Sequence, residues 1–220
     1  MYTSIFEFYF LGLYLFYIGY FVIRKKWILI SELISSTLFG ISLEYLSIKT
    51  YDTYHYSEQF LIQLGSVPNN VPIVIGCCWG MILITCRSIS NRIQLPNIIK
   101  VCIDVLLALT IDLAMDAMAI RIEGGFWNWP VPKYNQIRSD AFYGVIWPNF
   151  MGWIGIIFIY SSILRIYREK LIGRQKLIQF FYLLIMPILA YAPFYLYLEG
   201  INQIYVIYYS ITSREINGFY

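Results

Sequence analysis

Two aspartates lie one helical turn apart in the segment from Asp112 to Trp129, which reads DLAMDAMAIRIEGGFWNW. Asp112 and Asp116 fall inside a long apolar run, so a helix would place both carboxyl groups on one face. A carboxylate at the middle of a membrane-spanning helix costs roughly 2.5 to 3.5 kcal/mol. Burial and a nearby like charge both favour the neutral form of a carboxyl group. We therefore predict that one aspartate is protonated and can donate its proton, although a structural hydrogen bond or ion pair would also explain the pair.

The composition is that of an integral membrane protein. Of the 220 residues, 59% are hydrophobic and 13% are charged, and the mean hydropathy is +0.62. Soluble domains contain about 25% charged residues. The small excess of positive charge lies in short loops, which indicates membrane topology and argues against nucleic-acid binding. We expect the four cysteines to be buried small hydrophobic residues, without a disulfide or metal role, and they are Cys77, Cys78, Cys86 and Cys102.

Six apolar runs predict the fold. The fold class is therefore all-α, a polytopic membrane helical bundle of about six transmembrane helices, or seven if the C-terminal apolar segment also crosses. After Gly200 only about ten apolar residues remain, too few to span a bilayer. No internal repeat or linker is visible in the sequence, so residues 1–220 are expected to form a single transmembrane domain. The predicted spans are about 5–23, 28–46, 70–86, 97–120, 147–166 and 177–198.

The distribution of basic residues predicts the orientation. Eleven of the sixteen Lys and Arg residues fall on one side of a six-span bundle, and this side is predicted to be cytoplasmic. Both termini and the loops at about 47–69 and 121–146 would then lie outside. Polar and aromatic residues far apart in sequence converge on that outer half, which favours a single site there. They are Glu44, Asp112, Asp116, Trp127, Trp129 and Asn149.

Six segments between about residues 40 and 165 together resemble the membrane carotenoid hydratases. They are LEYLSIKT at 43–50, YHY at 54–56, VPNNVPIVIGCCW at 67–79, DLAMDAMAIR at 112–121, GFWNW at 125–129 and YGVIWPNFMGW at 143–153. That family, also described as carotenoid biosynthesis proteins, includes the bisanhydrobacterioruberin and γ-carotene hydratases. The chain departs from the family pattern at Ala117, where proline is usual, and in a shortened segment between the Glu-Tyr and Tyr-x-Tyr motifs.

The resemblance implies a polytopic enzyme that adds water across the terminal double bond of a carotenoid end group without a redox cofactor. Its partners would be a lipophilic isoprenoid or carotenoid, water and the lipid bilayer. We expect it in the cytoplasmic membrane of a prokaryote, with both termini extracytoplasmic.

Hydration of a trisubstituted alkene needs an acid, a site that tolerates a tertiary carbocation, and an activated water. Asp116 is our preferred acid, with Asp112 tuning it through a shared proton or hydrogen bond, and the reverse assignment stays open. Glu44 is the candidate base or water-orienting group, because it ends its helix at a comparable depth. An interfacial carboxylate without chemistry is the alternative for Glu44.

Aromatic and amide side chains complete the predicted site. Tryptophan rings could line the polyene end or face the cation, or they could be interfacial anchors. The tyrosines could donate hydrogen bonds to water or to a carboxylate, and the asparagine could cap a helix or bind water. These candidates are Trp127, Trp129, Trp153, Tyr54, Tyr56 and Asn149.

Three other functions fit part of the pattern. A membrane terpene cyclase would use the same protonated carboxyl group but let an internal alkene capture the cation. An intramembrane prenyltransferase would match Asp112-x3-Asp116 as a magnesium motif, but the sequence shows no second acidic motif for diphosphate. A channel or carrier would have acids along the whole membrane depth, as Glu32 and Asp104 on the inner side allow. The sequence shows no dinucleotide glycine fingerprint, so we expect no cofactor or metal.

Overall fold

Six helices account for most of the chain in the computed structural model, which describes residues 2–51, 54–122, 125–128, 141–142, 145–171 and 176–217. The all-α fold class is confirmed. Five of these helices are long and apolar enough to cross a membrane. The fourth is of similar length but carries three aspartates. The helices are α1 Tyr2–Ile23, α2 Trp27–Tyr51, α3 Ile73–Ser90, α4 Asn97–Ala119, α5 Trp147–Leu171 and α6 Lys176–Asn217.

Short antiparallel strand pairs join the segments at one end of the bundle. They are β1 His55–Tyr56 with β4 Trp127–Asn128, β2 Gln63–Leu64 with β3 Val71–Pro72, and β5 Ala141–Phe142 with β6 Val145–Ile146. In the first pair Tyr56 lies opposite Trp127, and the backbone N–H of Ser57 donates to the carbonyl of Phe126 at 2.9 Å. The loop after α2 is thereby fastened to the loop after α4.

Glycines allow α2 and α3 to approach closely. A Cβ atom added at Gly40 of α2 would overlap the side chain of Trp79, and one added at Gly80 of α3 would overlap Thr37. Small residues at a helix interface let the backbones come together in this way in membrane proteins. The close approach brings the Trp79 indole to the turn of α2 that follows Gly40, where Glu44 lies.

A buried glutamate attaches α1 to the loop between α2 and α3. The Glu7 carboxylate accepts hydrogen bonds from the backbone N–H groups of Leu61 and Ile62, both at 2.8 Å. The helix itself packs on α2 and α3, whereas α4 packs on α3 and α5. The first and fourth helices are thus placed on either side of α3 at the end that carries the loops.

The last helix is longer than the sequence indicated. We expected an end near Glu199 and Gly200, but α6 continues to Asn217 through both internal prolines, Pro187 and Pro193. Proline removes only its own N–H from a helix, and membrane helices tolerate that loss because neighbouring groups satisfy the freed carbonyl. The Gln203 side chain also donates a hydrogen bond to the Glu199 carboxylate at 2.8 Å, across the helical turn that contains Gly200.

The prediction that all four cysteines are buried was wrong for Cys102. Cys77, Cys78 and Cys86 are buried within the bundle, but Cys102 is exposed on α4. In a membrane a small apolar residue is equally stable against lipid, so hydropathy does not tell which face of a helix turns inward.

Candidate active site

Glu44 is buried near the C-terminal end of α2 and receives three hydrogen bonds. Trp79 of α3 donates its indole N–H to Oε1 at 2.7 Å, and the Tyr56 hydroxyl donates to Oε2 at 2.8 Å. The Tyr54 hydroxyl also donates to Oε2. Each of the three donors is neutral, so together they supply the partners that an ionised carboxylate accepts.

The two tyrosines come from the segment that β1 holds over the bundle. Burial raises the pKa of Tyr54 and of Tyr56 well above the usual range, and the nearby Glu44 charge adds to the effect. Both phenols therefore stay protonated and act as hydrogen-bond donors. The antiparallel register of Tyr56 with Trp127 fixes this segment in place.

Asp112 and Asp116 are buried on one face of α4, one helical turn apart. Their carboxyl groups lie close enough to hydrogen-bond to each other once one of them is protonated. Asn149, in the first turn of α5, donates its amide to Asp116 Oδ2 at 2.7 Å and lies 3.4 Å from Asp112 Oδ2. The Asn149 amide thus contacts both acids and links them at the end of α5.

These groups meet around one small cavity of about 50 Å³. Glu44 and Asp116 both line it, while Asp112 lies behind Asp116 and is joined to it by the hydrogen bonds described above. A buried water needs only about 10 to 15 Å³ of such space, so the cavity is large enough to hold water. The other sequence-predicted residues in its wall are Tyr54, Tyr56, Trp127, Asn149 and Trp153.

Three indoles give the cavity an aromatic wall. The rings of Trp79 and Trp153 stack, with centroids 4.1 Å apart and an interplanar angle of 28°. Trp127 is buried and meets Tyr56 edge to face, with centroids 5.9 Å apart. Trp129, the remaining predicted tryptophan, lies outside the described residues.

Comparison with known proteins places the chain in a family. The sequence profile described as "Carotenoid biosynthesis protein" matches residues 1–213. The chain belongs to this family. The resemblance seen in the sequence motifs is thereby confirmed.

One curated relative adds detail to the assignment. Bisanhydrobacterioruberin hydratase of Haloarcula japonica is 25% identical over 132 residues. The match covers 56% of this chain and 40% of the relative, so the chain matches less than half of that protein's length. No solved structure matches the chain.

For this carotenoid biosynthesis protein, the geometry offers two distinct chemical groups in one cavity. The aspartate pair can donate a proton when one of its carboxyl groups is protonated. Glu44 can accept a proton when it is ionised, because three donors then satisfy its oxygens. The cavity lined by Asp116 and Glu44 has room for a water molecule.

Trp79 was missed by the sequence reasoning, although it ends one of the motifs that carried the resemblance. Its position along α3 could have indicated that it lies at the same depth in the membrane as Glu44. Trp79 follows the start of α3 at Ile73 by six residues, and Glu44 precedes the end of α2 at Tyr51 by seven. At 1.5 Å per residue both lie about 10 Å below the loop that joins their helices, well inside the membrane rather than at its surface.

The acids of the opposite end are paired with arginine and do not line this cavity. Glu32 is bonded to Arg87 and Arg168, and Asp104 accepts a hydrogen bond from Arg165 at 2.7 Å. Both carboxylates are fully buried. The acids expected of a channel or carrier on the inner side are therefore members of ion pairs.

Proposed function

We propose that this chain is a membrane hydratase that adds water to a terminal alkene of a carotenoid or related long isoprenoid. The observation that carries this proposal is the meeting, in one cavity, of a hydrogen-bonded carboxyl pair and a carboxylate held by three donors. Membership of the carotenoid biosynthesis family and a distant relative named as a hydratase support the choice of substrate and reaction.

The reaction begins with proton transfer from the aspartate pair. Asp116 lines the cavity and is the donor, while Asp112 shares its proton with it from behind. The proton bonds to the less substituted alkene carbon, using the π electrons, and leaves a tertiary cation on the other carbon. The resulting Asp116 carboxylate keeps its hydrogen bond from Asn149.

Aromatic faces then stabilise the cation. A desolvated ring contributes roughly 0.5 to 2 kcal/mol to a nearby cation. Trp127 and Trp153 are among the aromatic residues that line the cavity, and we assign this role to them. Tertiary cations also need shielding from premature loss of a proton, which an apolar wall provides.

Glu44 completes the addition by activating water. The water oxygen bonds to the cationic carbon as one of its protons passes to Glu44, so a hydrogen and a hydroxyl have been added across the double bond. The proton then returns from Glu44 to the aspartate pair through water in the cavity, which restores the starting state. No electrons are exchanged with another compound, so the cycle requires no redox cofactor.

Pigment analysis tests this function. Expression in a lycopene-producing host should yield carotenoids heavier than lycopene by one or two waters. The matched control is Asp116→Asn, produced to the same membrane level, which should leave lycopene unchanged. An isomer of unchanged mass would instead support cyclisation. If well-expressed parent protein left the pigment unaltered, the proposal that this chain hydrates lycopene would be contradicted.

A further inference from the structure

We propose that an apolar groove between α1 and α4 binds the long chain of the substrate and guides its end group into the cavity. This inference rests on the proposed function. The groove has a volume of about 320 Å³ and lies between the N-terminal half of α1 and the C-terminal end of α4. It is closed at the loop end by Phe126 and Trp127.

The volumes of the cavity and the groove require that the end group and the long chain of the substrate bind in different places. Ligand pockets typically occupy roughly 300 to 1,000 Å³. The polar cavity, at about 50 Å³, has room for water and the reacting end only. The groove, at about 320 Å³, falls within the range for a bound ligand. A long isoprenoid that reacts at Asp116 must therefore keep most of its chain outside the cavity, and the groove is the adjoining space.

The groove and the cavity share two wall residues, Met115 and Trp127. Met115 directly precedes Asp116 along α4, so a chain end that passes the thioether arrives at the acid. Methionine is unbranched and flexible, which suits a side chain that must make way for a ligand. Trp127 presents its ring to both spaces and continues the aromatic surface from one to the other.

The lining of the groove matches a conjugated hydrocarbon. The residues assigned to it, all in the described part of the chain, carry no charged side chain. Aromatic rings predominate, and flat rings offer large contact areas for dispersion with a planar polyene. On α1 these rings are Tyr2, Phe6, Tyr9 and Phe10.

The groove also opens towards the membrane. Ile5 and Met118, on its two sides, are 60% and 62% exposed. Glu7 holds α1 to the loop between α2 and α3, and α1 packs on α2 and α3. The side of α1 that faces α4 is therefore left open. A substrate dissolved in lipid can therefore enter sideways without crossing water.

Filling the groove tests the inference by activity. Ile5→Trp and Met118→Trp should each lower kcat/KM for lycopene by about tenfold, through a higher KM. The controls are Leu15→Trp on α1 and Leu106→Trp on α4, which lie outside the groove and are 66% and 64% exposed. These should behave as the parent. If the parent hydrates lycopene and all four variants match it, the groove assignment is overturned while the proposed function stands.

Photocrosslinking separates binding from catalysis. A benzophenone amino acid at position 5 or 118 should attach to lycopene in membranes far more efficiently than the same group at position 15 or 106. If the parent proves unable to hydrate lycopene but crosslinks selectively at the groove, the proposed reaction fails and the groove stands as an isoprenoid site. Equal labelling at all four positions, or adducts with phospholipid alone at positions 5 and 118, would overturn the inference.

Discussion

At the scale of single residues, neighbours divide the carboxyl groups of one cavity into a donor and an acceptor. Asp112 and Asp116 face each other, so one must hold a proton. Glu44 instead faces Tyr54, Tyr56 and Trp79, all of which can donate to it. Acid–base catalysis needs this kind of separation, and here it arises from hydrogen-bond partners rather than from residue type.

The first prediction removes the transferable proton. Asp116→Asn keeps the size and hydrogen-bonding capacity of the side chain, so turnover should fall by roughly 10²- to 10⁴-fold, as for a general acid. Asp112→Asn should reduce turnover less if Asp112 only holds its neighbour. The measurement is hydrated carotenoid per unit of membrane protein. If the loss is larger at Asp112, the two roles are exchanged, and full activity of both variants would refute the acid assignment.

Asp104→Asn is the matched control on the same helix. It breaks a buried ion pair with Arg165, a change that typically costs about 3 to 5 kcal/mol. The amount of folded protein should therefore fall while turnover per folded molecule stays near the parent value. Asp116→Asn should show the opposite pattern, because an uncharged amide is no harder to bury than an acid pair.

A second prediction concerns Trp79, which we assign to positioning Glu44. Trp79→Phe keeps an aromatic ring but removes the N–H donor to Oε1. Hydrogen bonds to charged groups are worth about 1.5 to 3 kcal/mol, so turnover should fall roughly 10- to 100-fold. Trp153→Phe, which alters the other ring of the stack without touching Glu44, should have a smaller effect. An equal loss in both variants would show that ring stacking, not the hydrogen bond, matters.

The carboxyl groups and the candidate donors Tyr54, Tyr56 and Asn149 could be recognised from the sequence, but the pairing of Glu44 with Trp79 was not. Depth along a helix follows from counting residues, and this brings Glu44, Asp116 and Asn149 to the outer half. Which side chain meets Glu44 depends on how α3 is rotated about its axis, and hydropathy does not report that rotation. Trp79 was overlooked for this reason.

At the scale of elements, glycines set the distance between α2 and α3 and so the hydrogen bond from Trp79 to Glu44. Gly40→Ala should push Trp79 aside, because the added methyl group overlaps its side chain. Overpacking of this kind costs about 1 to 3 kcal/mol. We expect a lower thermal unfolding temperature in detergent together with reduced turnover.

Gly12→Ala on α1 is the control for that prediction, because a Cβ atom there meets nothing within 4 Å. Replacing glycine by alanine in an unobstructed helix stabilises it by about 0.4 to 1 kcal/mol. The Gly12 variant should therefore unfold at the same or a higher temperature than the parent. Indistinguishable melting of the two variants would contradict the close-packing argument.

Helices of this protein were predictable from apolar runs, whereas the contacts between loops were not. Each predicted span overlaps an observed helix, and every boundary except the end of α6 is displaced by only a few residues. Pairing of Tyr56 with Trp127 joins segments about seventy residues apart, and two-residue strands leave no periodic signal. The length of α6 was misjudged because Glu199 and Gly200 interrupt the apolar run, whereas the helix continues beyond them to Asn217.

At the scale of the whole molecule, the buried acids at the two ends of the bundle have different kinds of partner. Arginines neutralise the acids of the inner end, where Glu32 binds Arg87 and Arg168 and Asp104 binds Arg165. Around the outer cavity, the described carboxyl groups are held by neutral donors and by one another. Buried acids with such partners remain able to exchange protons, so we place the chemistry at the outer end and a structural role at the inner one.

Membrane topology provides the last prediction. The bias of Lys and Arg places the connections that follow α1, α3 and α5 in the cytoplasm, so both termini of this chain should be extracytoplasmic. The C-terminus follows from α6, since a continuous helix that begins at Lys176 near the cytoplasmic face cannot turn back. At 1.5 Å per residue its 42 residues extend about 63 Å, beyond the roughly 30 Å hydrocarbon core. An epitope tag at either terminus should therefore be accessible from outside intact cells, and a control tag between α3 and α4 only after permeabilisation. Termini on opposite faces would mean an odd number of crossings, with a miscount after Pro187 as the first explanation, and a cytoplasmic N-terminus would overturn the outer placement of the cavity.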